Sequence, residues 1–95
     1  MMKYKIKFLS SFKKQLKQVA RQGKDIDKLF KVVEKIAQGE ELDEKYRDHQ
    51  LQKNKYFNNC RECHIEPDWL LVYKINKDEL VLYLVKTGSH SEVFN

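Results

Sequence analysis

Only two cysteines, one proline, three glycines and one tryptophan occur among the 95 residues. Two cysteines cannot knit the small secreted scaffolds that rely on several bridges, so a disulfide framework is excluded. No apolar run approaches the roughly 20 residues that a membrane helix needs, which excludes a spanning helix. Met1–Ser10 alternates lysine with apolar residues and has no unbroken hydrophobic block, so no secretory signal is expected and the expected compartment is the cytoplasm. Repeats, low-complexity tracts and a linker are missing too, which leaves one expected domain over residues 1–95. What is present suits a small soluble globule, with 41% hydrophobic and 35% charged residues.

The net charge is +5, and it is unevenly spread. Residues 1–40 carry eleven basic and four acidic groups, a surplus of +7, whereas residues 41–95 carry eight basic and ten acidic groups, a balance of −2. A basic half of this kind attracts polyanions, either nucleic acid or an acidic protein segment. Lysines that merely solvate helix faces would give the same count, so charge alone names no function.

Tyr4, Ile6 and Phe8 alternate with Lys3, Lys5 and Lys7, the period of a strand with one buried face. Ser10 and Ser11 offer an N-cap to a helix whose apolar side is Phe12, Leu16, Val19 and Ala20, with Gly23 as its stop. Asp25 can cap a second helix with the stripe Ile26, Leu29, Phe30, Val33, Ile36 and Ala37, ended by Gly39. After Gly39 the period shortens. Short strands are expected at Tyr46–Leu51, Tyr56–Ile65, Leu70–Ile75 and Leu80–Val85, with Pro67 breaking the chain and Asn76–Glu79 as a hairpin loop. Thr87–Asn95 reads as a polar tail. The fold class is therefore α+β, with an N-terminal strand and a helical hairpin packed on a small antiparallel sheet.

If Asn76–Glu79 is the loop, Ile75 faces Leu80 and Trp69 faces Lys86. His64, Asp68, Trp69, Lys86 and His90 then meet at one edge of the sheet, with Glu62, His64, Trp69 and Lys86 on a common face; His49 falls nearer the middle. Imidazoles exchange protons near neutral pH. Two of them with a carboxylate could cleave RNA: a base takes the ribose 2′-OH proton, the oxygen attacks phosphorus, and an acid protonates the leaving 5′-oxygen. A cation near the phosphate offsets the charge that builds, and an aromatic ring can stack on a base. No metal or other cofactor is required. Singly, each histidine could be an ordinary surface or hydrogen-bonded residue; the combination at one sheet end carries the argument.

Cys60-Arg61-Glu62-Cys63-His64 also matches the C-x-x-C-H signature of c-type haem attachment. Its place in a strand, with no export signal, argues against haem. A zinc site would commonly draw on a second spaced pair of ligands, and a thioredoxin-like dithiol would want a helix N-terminus. Cys60 and Cys63 are expected as ordinary small residues on opposite strand faces.

Three segments carry a family resemblance: Asp48-His49-Gln50-Leu51, Arg61 through Tyr73, and Thr87-Gly88-Ser89-His90-Ser91-Glu92-Val93-Phe94. In this order they resemble the YafQ branch of the RelE/ParE toxin superfamily over nearly the whole chain. The resemblance implies a RelE-like fold and a toxin of a type II toxin–antitoxin system, acting as a ribosome-dependent endoribonuclease that cuts mRNA in the A site without a metal. It implies a cognate antitoxin, the ribosome and mRNA as partners, and neither a membrane nor a small-molecule cofactor. Carried over, the catalytic residues are His49, His64, Asp68 and His90. Glu62, Trp69, Lys86 and Phe94 take RNA-binding positions, to which Lys53, Lys55 and Arg61 are added as cations. Family members commonly have arginine where this chain has Lys86, and lysine lacks the planar fork that grips phosphate through two bonds. Two alternatives are a toxin of the ParE type that inhibits DNA gyrase, which needs no His/Asp set, and a non-catalytic basic module that binds RNA or protein.

Overall fold

The computed structural model describes residues 2–51 and 58–94. Strand β1 (Lys5–Phe8) is followed by helices α1 (Ser10–Arg21) and α2 (Ile26–Ala37). A single 3₁₀ turn (Glu44–Tyr46) leads into β2 (His49–Gln50), then come β3 (Arg61–Glu66), β4 (Trp69–Asn76), β5 (Val81–Gly88) and α3 (His90–Phe94). The five strands lie in the order β1-β5-β4-β3-β2. All neighbours are antiparallel except β1 and β5, which run parallel, so the sheet is mixed rather than purely antiparallel. The α+β class is as the sequence indicates.

Two periodicities build the main core. Phe12 and Val19 of α1 and Leu29, Val33, Ile36 and Ala37 of α2 point inward at helical spacing. They meet Cys63 and Ile65 of β3, Leu71 and Tyr73 of β4, and Leu82 and Leu84 of β5, the alternate residues of their strands. The lysines Lys13, Lys14, Lys17, Lys28, Lys31 and Lys35 stay exposed on the helices. Asp25 caps α2 by accepting from the Lys28 N–H at 3.4 Å. The serines before α1 do not cap it: Leu9 holds the N-cap position, and the Ser11 hydroxyl donates to the Val85 carbonyl at 2.7 Å. Phe8 is 40% exposed, so only Tyr4 of the first alternating run is fully inside.

The strand region departs from expectation in register. Asn76 pairs with Val81 and Ile75 with Leu82, so the hairpin is two residues off the expected pairing, and its tip lies one residue further on. The reason is local. Asn76 closes the turn itself, its Oδ1 accepting from the Asp78 and Glu79 N–H groups at 3.0 Å each. The expected strand at Tyr46–Leu51 shrinks to two residues because the chain first makes the 3₁₀ turn and then a left-handed step at Arg47 (φ 50°). Of the expected polar tail, Thr87 and Gly88 continue β5 and His90–Phe94 is helical.

Candidate active site

The site is built on the sheet face turned away from α1 and α2. Alternation along β3 sends Cys63 and Ile65 into the main core and Glu62 and His64 to the opposite, open face. Glu62 has only 7% of its side chain exposed, and His64 has 19%. The His64 Nδ1 lies 3.1 Å from the Pro67 carbonyl, and its Nε2 lies 3.3 Å from Glu62 Oε1. A carbonyl can only accept, so Nδ1 carries a hydrogen and Nε2 is the nitrogen free to exchange a proton. His49 pairs directly with Glu62 across β2–β3, which puts its side chain on the same face. Its Nδ1 donates to the Arg47 carbonyl at 2.7 Å, so its Nε2 is likewise left outward. The buried carboxylate is therefore flanked by two imidazoles held by backbone oxygens, and His49 sits at the edge rather than in the middle of the sheet.

Lys86 reaches this face through a bulge. Val72 pairs with Lys86 but Tyr73 pairs with Leu84, so Val85 is an extra residue in β5. Without it, strict alternation from Leu82 and Leu84 would drive Lys86 into the helix-side core. Its position opposite Val72 puts it in the same row as Glu62, two strand spacings away, or roughly 10 Å. The carbonyl freed by the bulge is the one that accepts from Ser11.

The next row holds His64, Leu70 and Gly88, and beyond Gly88 the chain turns into α3. Ser89 and Glu92 form a reciprocal cap, the Ser89 N–H donating to Glu92 Oε1 at 2.8 Å and the Glu92 N–H to the Ser89 hydroxyl at 3.3 Å. The Asp68 carboxylate, in the turn after Pro67, accepts from the His90 N–H at 3.3 Å. The His90 and Phe94 rings pack with centroids 4.8 Å apart. Val93 and Phe94 close a second small core over Leu70 and Val72 on the open face, with Cys60 and Val85. Asp68, His90 and Phe94 are thus gathered at one end of the face that carries His49, Glu62 and His64.

Two residues expected to bind RNA lie off this face. Trp69 is fully buried on the helix side, because alternation along β4 places it with Leu71 and Tyr73, and the shifted β4–β5 register pairs Lys86 with Val72 instead. Its Nε1 donates to Thr87 Oγ1 at 2.9 Å, and Thr87 in turn donates to the Leu70 carbonyl at 2.8 Å, so its ring is a wall of the core and not a platform for a base. Arg61 alternates with Glu62 and therefore faces the other way, where it holds Asp48 at 3.3 Å. Burial alone would lower the Arg61 pKa, but the hydrogen bonds to Asp48 and Tyr73 and the charge of Asp48 carry it upward. The Tyr73 hydroxyl donates to the same carboxylate at 2.5 Å, and burial with that neighbour pushes its pKa far up. Lys53 and Lys55 lie outside the described residues.

Residues that the sequence reading passed over are the ones that hold the histidines. Asp48 ties the chain beside His49 to Arg61 and Tyr73. Glu92 was legible as the fourth residue of a Ser-x-x-Glu cap. A cavity of about 330 Å³ opens beside His64, bounded by Lys28, Lys45, Tyr46, Arg47 and Pro67, so the approach to that ring is cationic. Lys28 is partly spent there on an ion pair with Glu66 at 3.1 Å. The cysteines lie on opposite faces, and burial raises the pKa of both thiols. Among the described residues no three His, Cys, Asp or Glu side chains gather as a metal-ligand set.

An α+β sheet with imidazoles and carboxylates on its open face, and a basic helical hairpin behind it, defines a small toxin of the RelE-like class. Residues 4–95 match the family of bacterial toxins of type II toxin–antitoxin systems named for YafQ, and the chain belongs to that family. The mRNA interferase toxin YafQ of Escherichia coli (strain B / BL21-DE3) is 31% identical over 90 residues, covering 94% of each chain. A metal-bound toxin from Helicobacter pylori superposes with a TM-score of 0.88 at 44% identity, over 99% of this chain and 100% of that one. The toxin-antitoxin complex DinJ-YafQ of E. coli gives 0.86 at 28% identity, over 99% and 100%.

Proposed function

We propose that this chain is a ribosome-dependent endoribonuclease that cuts mRNA in the A site by acid/base chemistry needing no metal, and that a cognate antitoxin restrains it in the cytoplasm. The observation that carries the proposal is the open face itself, on which Glu62 sits between His49 and His64 with Asp68 and His90 at its end. In the reaction, Nε2 of His64, or of His49, takes the ribose 2′-OH proton as the oxygen attacks phosphorus. Glu62 steadies the imidazolium that forms. Lys86, in the same row, faces the charge building on the phosphoryl oxygens. His90 gives its proton to the leaving 5′-oxygen, so the P–O5′ bond breaks as the 2′-O–P bond forms, leaving a 2′,3′-cyclic phosphate and a 5′-hydroxyl. Both proton transfers and the counter-charge come from side chains present on the face. Phe94 takes the aromatic role left open by the burial of Trp69.

The mRNA interferase activity in the names of the E. coli relatives and the antitoxin in the DinJ-YafQ complex support this reading. The exposed lysines of α1 and α2 give ribosomal RNA a cationic surface, and an acidic antitoxin segment could cover the same surface. The test is induction without antitoxin of His64→Ala, Asp68→Ala and His90→Ala. Each is expected to relieve growth arrest and to remove the new mRNA 5′ ends seen with the parent. Three variants as toxic as the parent, with mRNA intact throughout, would contradict the proposal.

A further inference from the structure

Helix α3 is only five residues long, yet it carries His90 and Phe94. A helix this short has no stability of its own, so its place is set by what it docks against. Val93 and Phe94 seat it on β4, and a second, polar docking comes from one side of α1. The Glu92 Oε2 accepts from Gln18 Nε2 at 3.0 Å and Gln22 Nε2 at 2.9 Å, while its Oε1 accepts from the Ser89 N–H. Gln15, one turn earlier, donates to the Glu92 carbonyl at 3.1 Å and accepts from the Thr87 N–H at 3.0 Å. Gln15, Gln18 and Gln22 fall at i, i+3 and i+7, one stripe of the helix. Gly88 lets the strand come this close: it has φ +149°, and a Cβ there would stand 3.0 Å from Glu92 Oε1.

We propose that Glu92, clamped by Gln18 and Gln22 of α1, is a positioning residue that fixes the backbone of α3 and thereby aims the His90 imidazole at the leaving oxygen. The inference rests on the cleavage reading and deepens it. Glu92 touches no reacting atom; it acts through His90. Orientation of a catalytic group is worth orders of magnitude, and a misplacement of about 1 Å can cost about a hundredfold.

The test combines single-turnover cleavage on programmed ribosomes with NMR of the free toxin. Glu92→Ala and, on a separate helix, the double change Gln18→Ala/Gln22→Ala are expected to lower kcat by about tenfold or more with KM within about twofold. Both should also speed amide exchange at His90–Phe94 and weaken the ring contacts between His90 and Phe94, while the exchange of β4 stays as in the parent. Glu92→Gln keeps an acceptor for the Ser89 N–H and is expected to recover part of the rate. A parent that cleaves, with variants that match its kcat and its α3 exchange, overturns this inference and leaves the cleavage reading standing. Equal loss of protection across β4 would also overturn it, by reducing Glu92 to a fold residue. A parent that fails to cleave overturns the functional reading first, and the catalytic part of this inference with it.

Discussion

At Glu62 a carboxylate is held almost out of solvent with one histidine paired across the strand and another 3.3 Å away. Replacing it as Glu62→Gln keeps its shape and removes the charge that steadies a protonated imidazole. Cleavage is expected to fall about tenfold or more, the scale of assistance to a proton transfer, with the fold intact by circular dichroism. Lys86 is a point charge where a fork would grip two oxygens. Lys86→Arg is therefore expected to hold or raise the single-turnover rate, and Lys86→Ala to lower it by about a hundredfold. Away from the face, Asp48→Ala strips the part-buried Arg61 and Tyr73 of their shared acceptor. It is expected to cost about 1–3 kcal/mol in urea unfolding and to loosen His49, its neighbour in the chain.

The elements differ in how far the residue order alone discloses them. Helices α1 and α2 follow from apolar spacing, and Asp25 and Gly39 mark the ends of α2 as local chemistry requires. Strands β3 to β5 are visible as short apolar runs. Their register is not, because it turns on two bulges. The one at Val85 is stabilised by a serine 74 residues earlier, a partner that no local pattern reveals. The shifted hairpin and that bulge pair Lys86 with Val72, which is why Trp69 is expected beside Lys86 but is found apart from it in the core, whereas Arg61 faces away from the histidines by plain alternation with Glu62. His49, His64, Asp68 and His90 are recognisable by type and motif, whereas their holders are contacts between distant elements. Helix α3 is the clearest case, since its cap is written in Ser89 and Glu92 but its docking depends on α1. Gly88→Ala is expected to destabilise by about 1–3 kcal/mol, since it meets Glu92 at a positive φ. The docking also depends on pH. Bonds from the Ser89 N–H and the Gln22 amide, with Lys24 nearby, hold Glu92 below its ordinary value of 4.5. Because the folded value is the lower one, this contribution is complete above about that pH and is lost as acid carries the solution through the folded pKa. Protection of the α3 amides, taken against the intrinsic exchange rate at each pH, should fall below pH 4.5 before that of the sheet, and this fall should be absent in Glu92→Gln.

On the scale of the whole molecule, charge and chemistry are divided between two sides. The basic surplus lies on the helical hairpin, whose exposed lysines give a ribosome-sized polyanion a broad surface, and the proton-transfer groups lie across the sheet. Reversing Lys13, Lys14, Lys17 and Lys31 to glutamate is expected to weaken ribosome association and its salt dependence. The effect on thermal stability should be small, since these side chains are exposed. The cationic cavity beside His64 joins the two sides at the end of β3. The most direct measurement is the cleavage of a defined mRNA on purified ribosomes in EDTA-free buffer and in buffer with a transition-metal chelator that spares magnesium. The parent should cut within the A-site codon at the same rate in both, leaving a 2′,3′-cyclic phosphate, and His64→Ala and His90→Ala should lose at least about a hundredfold. Cleavage that the chelator abolishes, or that survives both substitutions unchanged, would contradict it.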